Sequence, residues 1–430
     1  MKIALVSPKG NFLSNNKNFR EFWEESQQLQ FYKRFWSGLS TGLLIVGALT
    51  PKKIKVELID ENVESIDFNK DYDLVALSTM TQQATRTYEI ADEFRRRHVK
   101  VAIGGIHPTV FPEEAKGHCD SVIIGEAEEI WTQFIKDFSK GSIQSFYSSS
   151  RPANLEQSPM PRYSLLRPED YRIVWTQTTR GCPYNCEFCV ASKIFGTKFR
   201  HKSIKQVIRE VKCIKSIFKN SWIGFGDDNM FVNRKYASEL AKNLIPLKIR
   251  WMTQTDISIA EDENLLKLLK KSGCYILFIG FESLSKRSLG SIDKSKFKVK
   301  RLHKYRSYIK RIQNAGIGVM GAFMLGFDYD NISVFKRTAD FIIDNHLYAA
   351  QITVLTPLPG TQLRQRLQQQ NRLLSLGWDN YTFWDVTFTP KKMSIGQLQQ
   401  GLLDVYKSVY SKDVLLENDR YFKKIYKRIN

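Results

Sequence analysis

Residues 173–190 read IVWTQTTRGCPYNCEFCV: a short β-branched run that ends on threonines, then three cysteines spaced C-x3-C-x2-C. The run reads as a buried strand, which puts Cys182, Cys186 and Cys189 on the loop at its carboxyl end. Three thiolates from one loop can ligate three irons of a cubane cluster and leave the fourth iron open to another ligand. A structural zinc normally takes four protein ligands, and downstream the next Cys or His is His201, twelve residues past Cys189. The spacing favours an iron–sulfur site, with zinc or an unligated thiol cluster as the alternative. Six cysteines in 430 residues are too few for a disulfide scaffold, so their clustering is the informative feature.

The same strand opens an alternating series. Candidate strands at 173–179, 222–226, 250–255, 275–280, 317–325 and 350–355 are separated by candidate helices at 204–218, 234–244, 261–272, 304–315 and 333–345. This predicts a partial (β/α)6 barrel over 171–360, whose chemistry falls at the carboxyl ends of the strands. Upstream, strands are expected at 2–7, 55–60, 73–78, 100–105 and 121–125, with helical patterns at 85–97 and 126–138. The fold class is therefore α/β, with an N-terminal Rossmann-like, doubly wound parallel sheet over 1–140. Its strand ends carry Ser78 and Thr79, Gly104 and Gly105, and Gly125 and Glu126, mostly small or turn-forming residues. Residues 141–170 read as a linker, with three prolines and a serine run within 142–161. Residues 361–430 form a small mixed or helical C-terminal extension, Gln-rich at 362–370, with a helix near 395–410.

The composition agrees with a globular chain. The hydrophobic fraction is 42% and the net charge is +21, from 65 Lys and Arg against 44 Asp and Glu. The longest apolar run, GLLIVGAL at 42–49, is far short of a membrane span, and residues 3–6 are too short for a secretory h-region. A cytoplasmic protein without a transmembrane segment is expected.

The motif Cys182-x3-Cys186-x-Phe188-Cys189, with an aromatic just before the last cysteine, resembles the signature of the radical S-adenosylmethionine (SAM) superfamily. The resemblance implies a [4Fe–4S] cluster whose open iron is chelated by the amine and carboxylate of SAM. It also implies reductive cleavage of SAM to methionine and a 5′-deoxyadenosyl radical. GFGDDNMF at 224–231 resembles the glycine-and-acid motif that meets the SAM amine, which assigns Gly226, Asp227 and Asp228 to it. DISIA at 256–260 brings Ser258 to the ribose or carboxylate, and GFES at 280–283 brings Glu282 to the ribose. GAFMLGF at 321–327 and PLPGTQL at 357–363 resemble later strand ends near the adenine. Taken singly, each has an ordinary structural reading, a glycine turn after a strand or an aspartate capping a helix.

Further upstream, ALSTM at 76–80, GGIHPTVFP at 104–112 and IIGEAE at 123–128 resemble the cobalamin-binding domain that precedes the barrel in one branch of that superfamily. The resemblance implies a corrinoid across the strand ends, contacted by Ser78, Thr79, Gly104, Gly105, His107, Thr109, Gly125 and Glu126. One departure is the missing D-x-H-x-x-G motif. Gly105, not Asp, stands two residues before His107, so His107 is poorly placed as a lower cobalt ligand. The other reading of this domain is an inert cap on the barrel. Methylthiotransferases share the domain order but carry three further N-terminal cysteines, where this chain has Cys119 alone.

Residues 286–311 hold eleven cations (Lys286, Arg287, Lys294, Lys296, Lys298, Lys300, Arg301, Lys304, Arg306, Lys310, Arg311) against Asp293. Such a run suits an anionic partner: a phosphorylated substrate, nucleic acid, a lipid headgroup, or an acidic electron donor such as flavodoxin or ferredoxin. The plainer reading is a solvated face. Phe297, Tyr305 and Tyr308 make no stacking pattern that favours RNA. The resemblance as a whole implies cobalamin-dependent methyl transfer to an unactivated carbon of a small-molecule, peptide or lipid substrate. Radical dehydration, epimerisation, cyclisation or ring rearrangement, with or without cobalamin, is the alternative. No general acid or base stands out, and Trp378, Tyr381, Phe383 and Trp384 wall a substrate pocket or belong to the core.

Overall fold

The computed structural model describes residues 1–430 apart from 12, 27–28, 30–38, 40, 293–294 and 430. Asp293 and Lys294 of the basic run thus lie outside the described residues. The first sheet contains β1 (Lys2–Ser7), β2 (Lys55–Asp60), β3 (Leu74–Ser78), β4 (Lys100–Gly104), β5 (Ser121–Ile124) and β6 (Phe146–Ser148), all parallel, in the order β2-β1-β3-β4-β5-β6. Strands such as KIALVS and LVALS are continuous apolar runs because helices cover both faces of a parallel sheet. The strand order reverses between β1 and β3, and ligands of such sheets bind beyond the carboxyl ends at that point. Those ends are Ser7 and Ser78.

The second sheet runs β7 (Ile173–Thr176), β10 (Trp222–Phe225), β11 (Trp251–Thr255), β12 (Cys274–Glu282), β13 (Gly318–Leu325) and β14 (Ala349–Val354), each parallel to the next. β7 and β14 do not pair, so the barrel is partial. A small antiparallel pair, β8 (Thr179–Arg180) with β9 (Arg200–His201), flanks the cysteine loop. The intervening helices follow their apolar periodicity. Ile204–Ile217, for example, starts at a Ser203–Gln206 capping box and buries Val207, Val211 and Ile214 on one face.

Three of the differences from the sequence expectation bear on how the sheets are bounded. Residues 146–148 add a sixth strand to the first sheet, too short to show a period of two. The strand expected at 173–179 stops at Thr176, because the buried Asp227 carboxylate takes the amides of Thr178 and Thr179 out of the ladder. Lys412–Ile429 forms a final helix beyond the expected one, which runs Ile395–Val409. The latter helix closes the barrel edge. Tyr410 and Tyr406 each bond the backbone N–H and carbonyl of one β14 residue, Ala350 and Ile352. At the other end of the chain, Phe19 and Trp23 of the helix Lys17–Glu25 pack on Tyr406, and Trp23 also meets Trp384. No helix among the described residues is long and apolar enough to cross a membrane.

Candidate active site at the facing sheet ends

The carboxyl ends of the two sheets open on one cavity of about 520 Å³. On the N-terminal side its wall includes Ser7, Ser78, Thr79, Gly104, Gly105, Gly125 and Glu126; on the barrel side it includes Trp175, Gln177, Arg180, Gly226, Asp228 and Phe278. A side chain added at Gly125 would meet nothing within 4 Å, so the backbone there faces open space. Gly105 (φ 105°) touches the Thr79 backbone so closely that no other residue fits. These small residues leave room for a broad, flat ligand and fit a corrinoid.

The cysteine loop adjoins the barrel side. Gly181 donates to Asp228 at 3.0 Å, and Val190 and Ala191 line the cavity. None of the three thiols is in a disulfide, and all are partly buried. Burial pushes Cys182 up to about 11 and raises Cys189, and metal ligation is what draws such thiols to the thiolate. Among the described residues no three His, Cys, Asp or Glu side chains converge on a point that would hold a single metal ion. Cubane thiolates need no such convergence, since each takes a separate iron, and three sulfurs on one loop fit that donor set.

One orphaned cation points to the other ligand. Arg234 gives Nη2 to Ser258 Oγ at 2.9 Å, while its Nη1 is buried without a hydrogen-bond partner. Arg234 also lies within electrostatic reach of Tyr184 on the cysteine loop. A buried, unpaired guanidinium N–H at the start of the helix Arg234–Leu244, which follows the second barrel strand, fits the carboxylate of SAM.

The structure separates the expected site residues into two sets. Ser78, Thr79, Gly104, Gly105, Gly125, Glu126, Gly226 and Asp228 share the cavity wall. Phe188, His107, Thr109, Asp227, Ser258 and Glu282 do not line it. His107 is fully buried, with Nε2 3.2 Å from Glu114 and its ring against Trp378, so its polar atoms are committed away from any corrinoid. Thr109 ties Gly105 to Gly125, accepting from the Gly125 amide at 2.9 Å. Asp227 is buried and braces the turn before the cysteines; burial pushes its carboxyl up to about 6. Phe188 packs against the core. Glu282 sits at φ 64° on an irregular stretch of β12, paired with the buried Lys298 at 2.8 Å.

Sequence reading missed the groups that hold the loop in place. Arg180, directly before Gly181, bonds Glu126 at 2.6 Å and Glu128 at 2.7 Å, both at the end of the first sheet. Arg200 adds a second bond to Glu126. From the other side, Glu187 pairs with Arg366, which also binds Asp328. The cysteine loop is thus gripped by the N-terminal sheet and by the C-terminal extension. The only sequence signal was the position of Arg180 and Glu187 within and beside the motif.

Comparison with known families agrees with this architecture. The Radical SAM superfamily matches residues 176–342, the B12 binding domain matches 39–135, and a domain of unknown function matches 361–430. The chain is 29% identical over 426 residues to the Bacteriochlorophyllide d C-12(1)-methyltransferase of Chlorobaculum tepidum, covering 96% of this chain and 92% of the relative. It is 28% identical over 396 residues to the Bacteriochlorophyllide d C-8(2)-methyltransferase of the same organism, covering 86% of each. The fold matches that of the radical SAM methyltransferase TsrM from Kitasatospora setae, solved with cobalamin and a [4Fe-4S] cluster, with a TM-score of 0.66 at 16% identity over 94% of this chain and 90% of that one. The chain belongs to the radical SAM enzymes that carry a B12-binding domain. Membership implies a [4Fe-4S] cluster, SAM and cobalamin as cofactors, together with a substrate and a reductant.

Proposed function

We propose that this chain transfers a methyl group from SAM, by way of a corrinoid, to an unactivated carbon of a small-molecule, peptide or lipid substrate. The observation that carries the reading is the shared cavity: ligands held at the ends of the two sheets would share one space, walled in part by Trp175, Gln177, Gln254 and Phe278. When bound, the cluster with SAM supplies a carbon-centred radical and the corrinoid supplies the methyl group. Cys182, Cys186 and Cys189 would hold the cluster. Arg234 would take the SAM carboxylate, and Asp228 fixes the start of the loop through Gly181. Trp175, Met252, Phe278 and Met320 give an apolar wall that excludes water from the space between the cofactors. No proton-transfer group is required, because hydrogen abstraction rests on positioning. The two Chlorobaculum relatives are named for a tetrapyrrole, and an aromatic, apolar wall suits a substrate of that kind.

The test is anaerobic reconstitution followed by iron and cobalt counts, then SAM carrying a deuterated methyl group. The label should appear on the bound corrinoid. A protein that cleaves SAM yet retains no cobalt, or leaves its corrinoid unlabelled, would shift the reading to radical rearrangement without methyl transfer.

A further inference from the structure

The cations of 286–311 divide by position. Lys298 is buried on Glu282; Arg301 pairs with Glu261, Arg306 with Asp344, and Arg311 with Glu263. Lys286, Arg287, Lys296 and Lys300 are exposed and make no ion pair among the described residues. These four follow the carboxyl end of β12, at the mouth of the barrel. Their segment packs directly on the cysteine loop. Phe297 packs at a tilt against Tyr184, which lies between Cys182 and Cys186, with ring centroids 4.3 Å apart, and the Glu187 amide donates to the Ile292 carbonyl at 3.0 Å.

We infer that Lys286, Arg287, Lys296 and Lys300 form the docking surface for an acidic one-electron carrier protein that reduces the cluster; this rests on the cluster reading above. The four cations stand beside the loop that holds the redox centre, where a carrier must come close. None of them lines the cavity, so they do not serve a substrate there. The surroundings disfavour the other anionic partners. Phe297 is covered by Tyr184 and Arg301, and Tyr305 and Tyr308 are buried, so no aromatic ring of the segment is free to stack bases. No large apolar side chain is exposed among the described residues of 286–311 to enter a lipid surface. Unpaired surface charge of one sign steers encounter with an oppositely charged protein without needing a deep interface. In the step itself one electron leaves the carrier and enters the cluster, and no bond or proton changes hands.

The experiment compares reduction of the reconstituted holoprotein by a reduced acidic flavodoxin and by titanium(III) citrate, followed by the cluster's visible absorbance. In the variant K286E/R287E/K296E/K300E the flavodoxin rate should fall about tenfold or more, and the wild-type flavodoxin rate should fall as salt is raised. The titanium rate should not change. A matching set of Lys→Gln and Arg→Gln replacements should give a smaller loss in the same direction, and it decides the question if charge reversal prevents folding. An unchanged flavodoxin rate, or equal losses with both reductants, overturns the assignment. So does salt-sensitive binding of a single-stranded RNA probe that the variant loses while its flavodoxin rate holds. Failure of titanium to reduce the wild-type protein would strike the cluster reading instead.

Discussion

Arg366, on the helix Gln362–Gln369 of the C-terminal extension, places Nη2 2.6 Å from Oε1 of Glu187, the residue that follows the second cysteine of the motif. The two positions are 179 residues apart in the chain. The Leu363 amide also donates to the Glu187 carbonyl at 3.0 Å. A helix from a family of unknown function therefore fixes the side of the cysteine loop that faces away from the first sheet.

Arg366→Met should loosen that loop. The pair is only partly exposed, and Arg366 also serves Asp328, so the loss should be about 1–2 kcal/mol in urea unfolding of the apoprotein. The sharper readout is iron retained per chain after reconstitution and gel filtration, which should drop well below wild type. Wild-type iron retention in the variant would mean that the contact does not position the loop.

On the opposite side, Arg180 is nearly fully buried between Glu126 and Glu128. Arg180→Met strands Glu128 in a dry site, whereas Glu126 keeps Arg200, so the cost should be about 3 kcal/mol. Burial raises the Glu128 carboxyl, but Arg180 outweighs burial and holds it below its ordinary value of 4.5. The pair's contribution is thus complete above that value and lost as pH falls through the lower folded one. The gap between wild type and variant in urea midpoint should narrow on acidification from about pH 7 to about pH 3. A gap independent of pH would show that the charge pair does not carry the effect.

Much of this was legible beforehand, and for a physical reason. Short β-branched runs between turn residues have few other ways to fold, so eleven expected strands all appear, and three cysteines on one loop announce themselves by spacing. Side-chain direction was not legible. Asp227 and Asp228 are neighbours, and only the tertiary structure turns the first inward to Thr178 and leaves the second on the cavity wall. His107 is turned to Trp378, 271 residues later, and to Glu114, neither of which its motif announces. Lys298 looked like one more cation in a charged run, yet it is the buried partner of Glu282.

Asp227 predicts a pH effect of opposite sign. Burial lifts its carboxyl from 3.8 to about 6 despite bonds from the Thr178 and Thr179 amides. Between those values the folded protein binds more protons than the unfolded chain, so this group's contribution to stability falls as pH rises through the window and is flat above it. The size is on the order of 2–3 kcal/mol. Asp227→Asn keeps an oxygen for both amides and offers its NH2 to the Thr178 hydroxyl, so the variant should lose that slope. Urea midpoints of apoprotein at about pH 4 and about pH 7 measure it. Parallel pH profiles for variant and wild type would show that the carboxyl does not titrate there.

Tyr410 offers a test of how the partial barrel ends. β14 is an edge strand with its outer backbone groups buried under the helix Ile395–Val409 and its C-terminal neighbour Tyr410. The Tyr410 hydroxyl accepts from the Ala350 amide at 3.1 Å and donates to the Ala350 carbonyl at 2.6 Å, replacing the missing strand. Tyr410→Phe keeps the ring but leaves a buried donor and a buried acceptor unpaired, which should cost about 1–3 kcal/mol. Tyr406→Phe should cost at least as much, because its hydroxyl also accepts from Trp384. Amide hydrogen exchange should locate the loss: the Ala350 and Ile352 amides should exchange faster in the corresponding variants, while β12 stays protected. Uniform acceleration across the second sheet would mean that the tyrosines support the whole barrel and not its edge.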